Sequence, residues 1–324
     1  MRHSHLETLE ALGLAPYVPG ENPRLHRKDG VTLLERQRRS DKLVPSLEEA
    51  IRQAGLRDGM TISFHHHFRA GDYIVNMVLD TIASMGFKDL RVAASSLTDC
   101  HAPLIGHIQS GVIRSIETSG CRGALAEAVS RGLMEEPMVF RTHGGRAAAV
   151  ESGALPIDLA FLGAPSCDAF GNANGYSRGA AGKSVCGSLG YALPDAQHAD
   201  KVIVITDNLV PYPNTPFAIS QRFVDYVVVV DSIGDPEKIM SGATRFTKNP
   251  RDLLIAEQAA AVIAQSGYCY DGFSLQTGSG GAALAVTRFL GDYMKENGLK
   301  ASFALGGITA AMVQLHEAGL IERL

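Results

Sequence analysis

Two stretches of this chain are written to one plan, and that plan leaves few folds open. The first runs from Asp58 to Leu79 and reads DGMTISFHHHFRAGDYIVNMVL; the second starts at Asp271 and reads DGFSLQTGSGGAALAV. Each opens on Asp-Gly, passes through a short apolar strand into a polar or glycine-rich loop, and then starts an apolar helix. Lys88 and Lys300 open the following strands at nearly the same distance from their Asp-Gly pairs, so the pattern is an internal duplication. In an α/β sheet, the loop after a strand lies at the carboxyl edge, where ligands bind and helix N-termini point. A cationic cluster at that edge, here His65, His66, His67 and Arg69, suits an anionic substrate.

Strands and helices alternate along the rest. Strands are expected at 61–64, 90–94, 112–117, 137–141, 157–163, 201–206, 226–231, 273–276 and 302–305. Most are short apolar runs without alternation, as strands buried on both faces should be. Helices are expected at 73–85, 102–109, 123–130, 145–151 and 189–197. A further helix should start at Asn249-Pro250 and end at Gly267, and a capping box at Ser46 and Glu49 starts one that Gly55 stops. The order predicts a mostly parallel sheet with helices on both faces. Residues 1–57 read as an N-terminal arm and helix, 58–268 as a first α/β domain, and 269–324 as the incomplete beginning of a second, similar one. The segment 169–183 is the one long irregular loop expected.

Composition narrows the function classes. A hydrophobic content of 45% supplies a core, and a net charge of −4 offers no basic field for nucleic acid or an anionic membrane. There is no apolar run long enough for a transmembrane helix, and the N-terminus MRHSHLETLEALG is polar, so a cytoplasmic protein is expected. Cys100, Cys121, Cys167, Cys186 and Cys269 are widely spaced and lack a CxxC, which reads as reduced, mostly buried thiols.

Four loops could carry chemistry. Neighbouring side chains on an extended segment point to opposite faces, so His65, His66 and His67 cannot easily share one metal ion; structural hydrogen bonding and substrate contact both stay open. Arg69 could clamp a carboxylate with two parallel bonds. Arg141-Thr142-His143-Gly144-Gly145-Arg146 follows an expected strand and precedes a helix, as either an anion site or a plain turn. Gly278-Ser279-Gly280-Gly281-Ala282-Ala283 matches GxGxxA, but no acidic residue ends the next strand. That argues against NAD and leaves a cradle of backbone N–H groups or a simple turn. Gly182-Lys183-Ser184 lacks the upstream glycine and strand of a phosphate loop.

Taken together, SFHHHFRAGDYIVNMVLD, RVAASSL, HAPLIGHIQSGV, RTHGGR, IDLAFLGAPSCDAFGNANG, KSVCGSLGYALPDAQHADKVIVITDNLVPYPN, VDSIGDP and DGFSLQTGSGG resemble the citrate lyase alpha-chain family, the citrate branch of the CoA-transferase group. The likeness covers nearly all of the chain. DxxGNxxG, from Asp168 to Gly175, is shared with the wider group, while the histidine run and DNLVPYPN are particular to the citrate branch. The resemblance implies a CoA-transferase-like fold and a transferase that exchanges acetate for citrate on a thioester. Acetyl-[acyl-carrier protein] and citrate would give citryl-[acyl-carrier protein] and acetate. The implied partners are the citrate lyase beta chain, the gamma chain (the acyl-carrier protein), citrate, the acetyl thioester and further copies of this chain. The thiol is that of a CoA-type prosthetic group on the carrier, and this chain is expected to hold no cofactor tightly and no metal.

The same resemblance suggests roles. Gly278, Gly280 and Gly281 would offer N–H groups to the thioester oxyanion, and Asn208 would orient an acyl oxygen. Arg69, His66, Arg141 and Arg146 would hold citrate carboxylates, with His65, His67, His143, Gly144 and Gly145 lining the same site. Ala310 or Ala311 stands where the wider group has its glutamate nucleophile, which implies direct attack by citrate through a mixed anhydride. Since related proteins carry a complete second domain, a competing expectation is a non-catalytic ligand-binding or scaffold module that recruits lyase partners. A sugar-phosphate isomerase would need a paired acid and lysine near the glycine loop, which the chain lacks.

Overall fold

Short apolar runs with no alternation belong in a sheet covered on both faces, and the computed structural model places them there. It describes residue 12 and residues 42–65, 68–175, 189–239, 246–278, 280–306 and 308–324. Contacts divide the chain into two units, Met1–Ile239 and Met240–Leu324. The first runs β1 (Leu43–Val44), α1 (Leu47–Ala54), β2 (Thr61–Phe64), α2 (Ile74–Ser84), β3 (Leu90–Ala94), α3 (Leu104–Gln109), β4 (Ile113–Thr118), α4 (Gly123–Ser130) and β5 (Val139–Phe140). It continues through α5 (His143–Glu151), β6 (Leu159–Ala164), β7 (Ser166–Asp168), β8 (Ala173–Asn174), α6 (Leu193–His198), β9 (Lys201–Thr206), β10 (Leu209–Val210) and β11 (Tyr226–Val229).

Eight strands form one parallel sheet in the order β1-β11-β9-β6-β2-β3-β4-β5. From β2 the chain steps outward through β3, β4 and β5; it then returns to β6 and steps outward the other way through β9 and β11. The order therefore reverses between β2 and β6, and ligands of open α/β sheets bind outside the carboxyl ends at such a point. Right-handed crossovers that progress in opposite directions put their helices on opposite faces. Accordingly α1 to α4 pack as one row, and α5 packs with α6. The expected α/β class, a mostly parallel sheet with helices, is the fold found.

Local chemistry explains the boundaries. Every residue of β2 and β6 is buried, and Phe64 pairs with Phe161 across them, their rings stacked 5.6 Å apart beneath the reversal point. Ser46 Oγ accepts the Glu49 N–H at 3.2 Å to start α1, and Gly55 ends it at φ +77°. Helix α2 buries Ile74, Val75, Val78, Leu79 and Ile82 on one stripe. Among the departures from expectation, two add strands. Leu43–Val44, inside the supposed arm, is an edge strand on β11, and Ala173–Asn174, inside the supposed irregular loop, joins a small sheet of order β10-β7-β8.

The second unit holds α7 (Pro250–Gln265), β12 (Ser274–Gln276), α8 (Gly281–Glu296), β13 (Phe303–Leu305) and α9 (Ala310–Glu317). Strands β12 and β13 pair in parallel, as β2 and β3 do. The duplication reaches single atoms. The Lys88 N–H donates to Asp58 Oδ1 at 2.8 Å, and the Lys300 N–H donates to Asp271 Oδ1 at 3.0 Å. Gly59 and Gly272, at φ +82° and +88°, make the same left-handed turn after their aspartates. Among the described residues, no helix is long and apolar enough to cross a membrane. Of the described thiols only Cys167 is buried; Cys100, Cys121 and Cys269 are partly exposed, which corrects the expectation of mostly buried cysteines.

Candidate functional site

The chain leaves β2 at the reversal point, and the next residue is His65. Its Nδ1 lies 2.8 Å from the hydroxyl of Ser95, the residue that follows β3, while the Ser95 N–H donates to the Phe64 carbonyl at 3.0 Å. His66 and His67 fall outside the described residues.

A third segment arrives with α5. Thr142 caps this helix by accepting the Gly145 N–H at 3.0 Å, which makes His143 and Gly144 its first helical residues. The His143 ring stacks on Tyr191 at 3.9 Å and an interplanar angle of 6°, and Tyr191 tilts against His65 at 5.2 Å. The Tyr191 hydroxyl donates to the His143 carbonyl. Two imidazoles, a phenol and the start of a helix thus meet where the strand order reverses. Such an assembly can donate several hydrogen bonds to an oxyanion.

The arginines named from the sequence are not equivalent. Arg146 is 1% exposed, and its guanidinium grips both oxygens of the buried Asp195 at 2.8 Å and the Ala93 carbonyl at 2.9 Å. The Asp195 carboxylate raises the guanidinium's proton affinity against the burial that lowers it. This arginine bolts α5 to α6 and to the end of β3; it is enclosed, and so is not the open carboxylate clamp that was expected. Arg141 follows β5 and makes an ion pair with the buried Glu117 of β4. Arg69 is exposed, and among the described residues its guanidinium has no ion-pair partner.

The remaining expectations fall at other places. Asn208 follows β9, and its side-chain amide donates to the Pro165 carbonyl at 3.2 Å, tying that edge to the corner between β6 and β7. In the second unit Gly280 caps α8, Gly281 is its first residue, and a Cβ at Gly280 would meet open space. Gly278 precedes this cap, and Ser279 lies outside the described residues. Ala310 and Ala311 are the first two residues of α9. Lys183 and Cys186 also lie outside the described residues.

Tyr191 and Asp195 carried no chemical signal in the sequence. They sit in an ordinary helical pattern, 48 and 49 residues from their partners His143 and Arg146, and only the crossover between β8 and β9 brings them in. A tyrosine and an aspartate four residues apart on one helical face, like Arg146 after a glycine pair, become informative once the strand order is known.

Comparison with known proteins agrees with the resemblance. The family model "Citrate lyase, alpha subunit (CitF)" matches residues 40–324. The citrate lyase alpha chain of Escherichia coli is 61% identical over 286 residues, covering 88% of this chain and 55% of that protein. The Klebsiella pneumoniae alpha chain is 58% identical over 314 residues, covering 96% and 60%. This chain therefore spans somewhat over half the length of the relatives it matches. A crystal structure of the citrate lyase alpha subunit of Streptococcus mutans in complex with citrate superposes with a TM-score of 0.83 at 60% identity, covering 87% of this chain and 55% of that one. A Pseudomonas malonate decarboxylase hetero-tetramer shares the fold at 19% identity, with a TM-score of 0.67 over 90% of this chain and 54% of that one.

Proposed function

The chain belongs to the citrate lyase alpha subunit family, and we propose that its first unit takes up citrate at the carboxyl edge of the large sheet, between the ends of β2 and α5. The observation that carries this reading is the difference among the three arginines. A tricarboxylate leaves water only for fixed cations and donors. Arg141 and Arg146 already serve Glu117 and Asp195, whereas Arg69 is exposed and unpaired among the described residues. The rings of His65 and His143, held together by Tyr191, and the first N–H groups of α5 supply donors for a second carboxylate. The citrate found with the Streptococcus mutans relative supports this substrate.

Arg69→Gly tests it cleanly, because glycine adopts the φ of +52° found at Arg69 and so removes the cation while keeping the turn. Calorimetric titration should show citrate affinity falling about 10- to 100-fold, the range of a hydrogen bond to a charged group, about 1.5–3 kcal/mol. Equal affinity in the two proteins would refute the site.

The fuller reading is exchange of acetate for citrate on the CoA-like thioester of an acyl-carrier gamma chain, with a beta chain cleaving the citryl product. A citrate carboxylate attacks the acetyl carbonyl and the thiolate leaves, giving a mixed anhydride. The thiolate then attacks the citryl carbonyl and acetate departs. Ala310 and Ala311 offer no nucleophile, so the chain should acquire no covalent acetyl group when incubated with an acetyl thioester. Intact-mass measurement checks this, and an acetylated protein would contradict it.

A further inference from the structure

Arg69 is one of two described non-glycine residues in the left-handed backbone region, at φ +52°. A side chain there is strained unless its surroundings hold it, and such strain gathers at functional positions. What holds it is a cluster behind the turn, in which Asp72 and His101 are buried and Thr98 and Cys100 partly so, and which meets the site only through the Arg69 backbone. The Arg69 carbonyl accepts from the Asp72 N–H at 3.3 Å, the Thr98 hydroxyl at 3.3 Å and the Cys100 thiol at 3.5 Å. Thr98 and Cys100 are in turn set by His101, which is fully buried. Its Nδ1 accepts the Thr98 N–H at 2.8 Å, and its Nε2 lies 3.3 Å from Asp72 Oδ2 and 3.6 Å from Cys100 Sγ.

The protonation of this ring follows from its neighbours. Burial disfavours a charged imidazole, but Asp72 and Cys100 outweigh it and lift the ring's pKa to about 9. The Thr98 N–H opposes a second ring proton, which would have to sit on the nitrogen that accepts it. The neutral ring, with its hydrogen on Nε2 facing Asp72, is the form that keeps this bond. Asp72 Oδ2 also accepts the Val75 N–H at 3.1 Å, which joins the cluster to the first turn of α2. On the opposite side the turn is closed by backbone contact. A Cβ on Gly71 would lie 2.2 Å from the Asp235 carbonyl oxygen, and one on Gly234 would lie 2.6 Å from the Phe68 ring.

We propose that His101, anchored by Asp72 and acting through Thr98 and Cys100, is a positioning residue that holds the Arg69 turn and so aims its guanidinium at the substrate carboxylate. The inference rests on the citrate reading above for its consequence, though not for its geometry. His101 is sealed from solvent and meets no substrate, so its influence on binding must pass through Arg69.

Coupling measures that directly. Citrate titrations of the wild-type chain, His101→Gln, Arg69→Gly and the double variant should show His101→Gln weakening citrate about tenfold, as loss of one aligned charged contact would. In the Arg69→Gly background the same change should add less than about twofold, because the group it positions is gone. An equal loss in both backgrounds, or no loss in His101→Gln, overturns the proposal. Cys100→Ala, which removes a partly exposed thiol and leaves the buried pair intact, should give a smaller loss that likewise vanishes without Arg69. It serves if His101→Gln fails to fold, and no loss in it then overturns the proposal. Amide exchange at Asp72, whose N–H is bonded to the Arg69 carbonyl, reads the turn without citrate and should quicken about tenfold in His101→Gln. If Arg69→Gly binds citrate normally, the citrate reading fails by itself. Exchange at Asp72 then decides whether His101 holds the turn, and unchanged exchange rejects that too.

Discussion

Asp195→Ala is expected to cost about 3–5 kcal/mol of folding free energy, the largest effect of any single change near the site. The variant leaves the Arg146 guanidinium, 1% exposed, without the two charge-assisted bonds that compensate its desolvation. The Ala93 carbonyl at 2.9 Å cannot replace a lost countercharge, and burial turns from a compensated cost into an open one. Because Arg146 joins α5 to α6, the loss also loosens the stack of His143 on Tyr191, which lies in the turn just before α6. Urea denaturation followed by circular dichroism measures the cost. Arg146→Met combined with Asp195→Leu should recover most of it, since paired apolar replacements of a buried ion pair are often neutral. A loss below about 1 kcal/mol in Asp195→Ala would place the pair in the weak range of exposed bridges and contradict its role as a bolt.

Asp168→Ala should be at least as damaging, for a different reason. The fully buried carboxylate accepts four N–H groups: Phe170 and Asn172 backbone amides on Oδ1 at 2.9 and 3.1 Å, and the Asn172 side chain and Asn214 amide on Oδ2 at 2.8 and 2.9 Å. Alanine strands all four, and at about 1–3 kcal/mol for each buried donor left unmade the expected cost is about 4 kcal/mol or more. Asparagine is no cure, since its NH₂ would face donors. Urea midpoints of the two variants check this, and a variant as stable as the wild type would show that water replaces the carboxylate. Here lies the structural use of DxxGNxxG: Asp168, Asn172 and Asn214 knot β7 and β8 to the segment after β10. Gly171 turns at φ +97°, where a Cβ would lie 2.7 Å from Val224.

How far the residues alone could be read follows from how far apart the causes lie. Strands β2, β3 and β9 and helix α4 have the expected ends, because each is delimited by its own apolar run and by the polar or glycine residues beside it. Leu43–Val44 escaped because two residues carry no period; their pairing with Val227 and Val228 is what makes them a strand. The small sheet of β7, β8 and β10 escaped for the same reason, since its order comes from buried asparagines rather than from apolar patterning. Within the site, His65, Arg69 and His143 were legible as polar residues just after strands. Arg146 was legible as a cation but not as a buried one, because its enclosure depends on Asp195, which the sequence places 49 residues away. The strain at Arg69 and the buried His101 beneath it were invisible, as a φ value has no signature in a non-glycine residue.

Citrate should lie at the carboxyl edge of the large sheet, where strand order reverses beside His65. The crystal structure of this chain grown with citrate tests it most directly. The predicted result is a citrate carboxylate bonded to the Arg69 guanidinium, with others within hydrogen-bond distance, about 2.7–3.2 Å, of the His65 or His143 ring or the first N–H groups of α5. Citrate bound elsewhere, with these groups untouched, would contradict it.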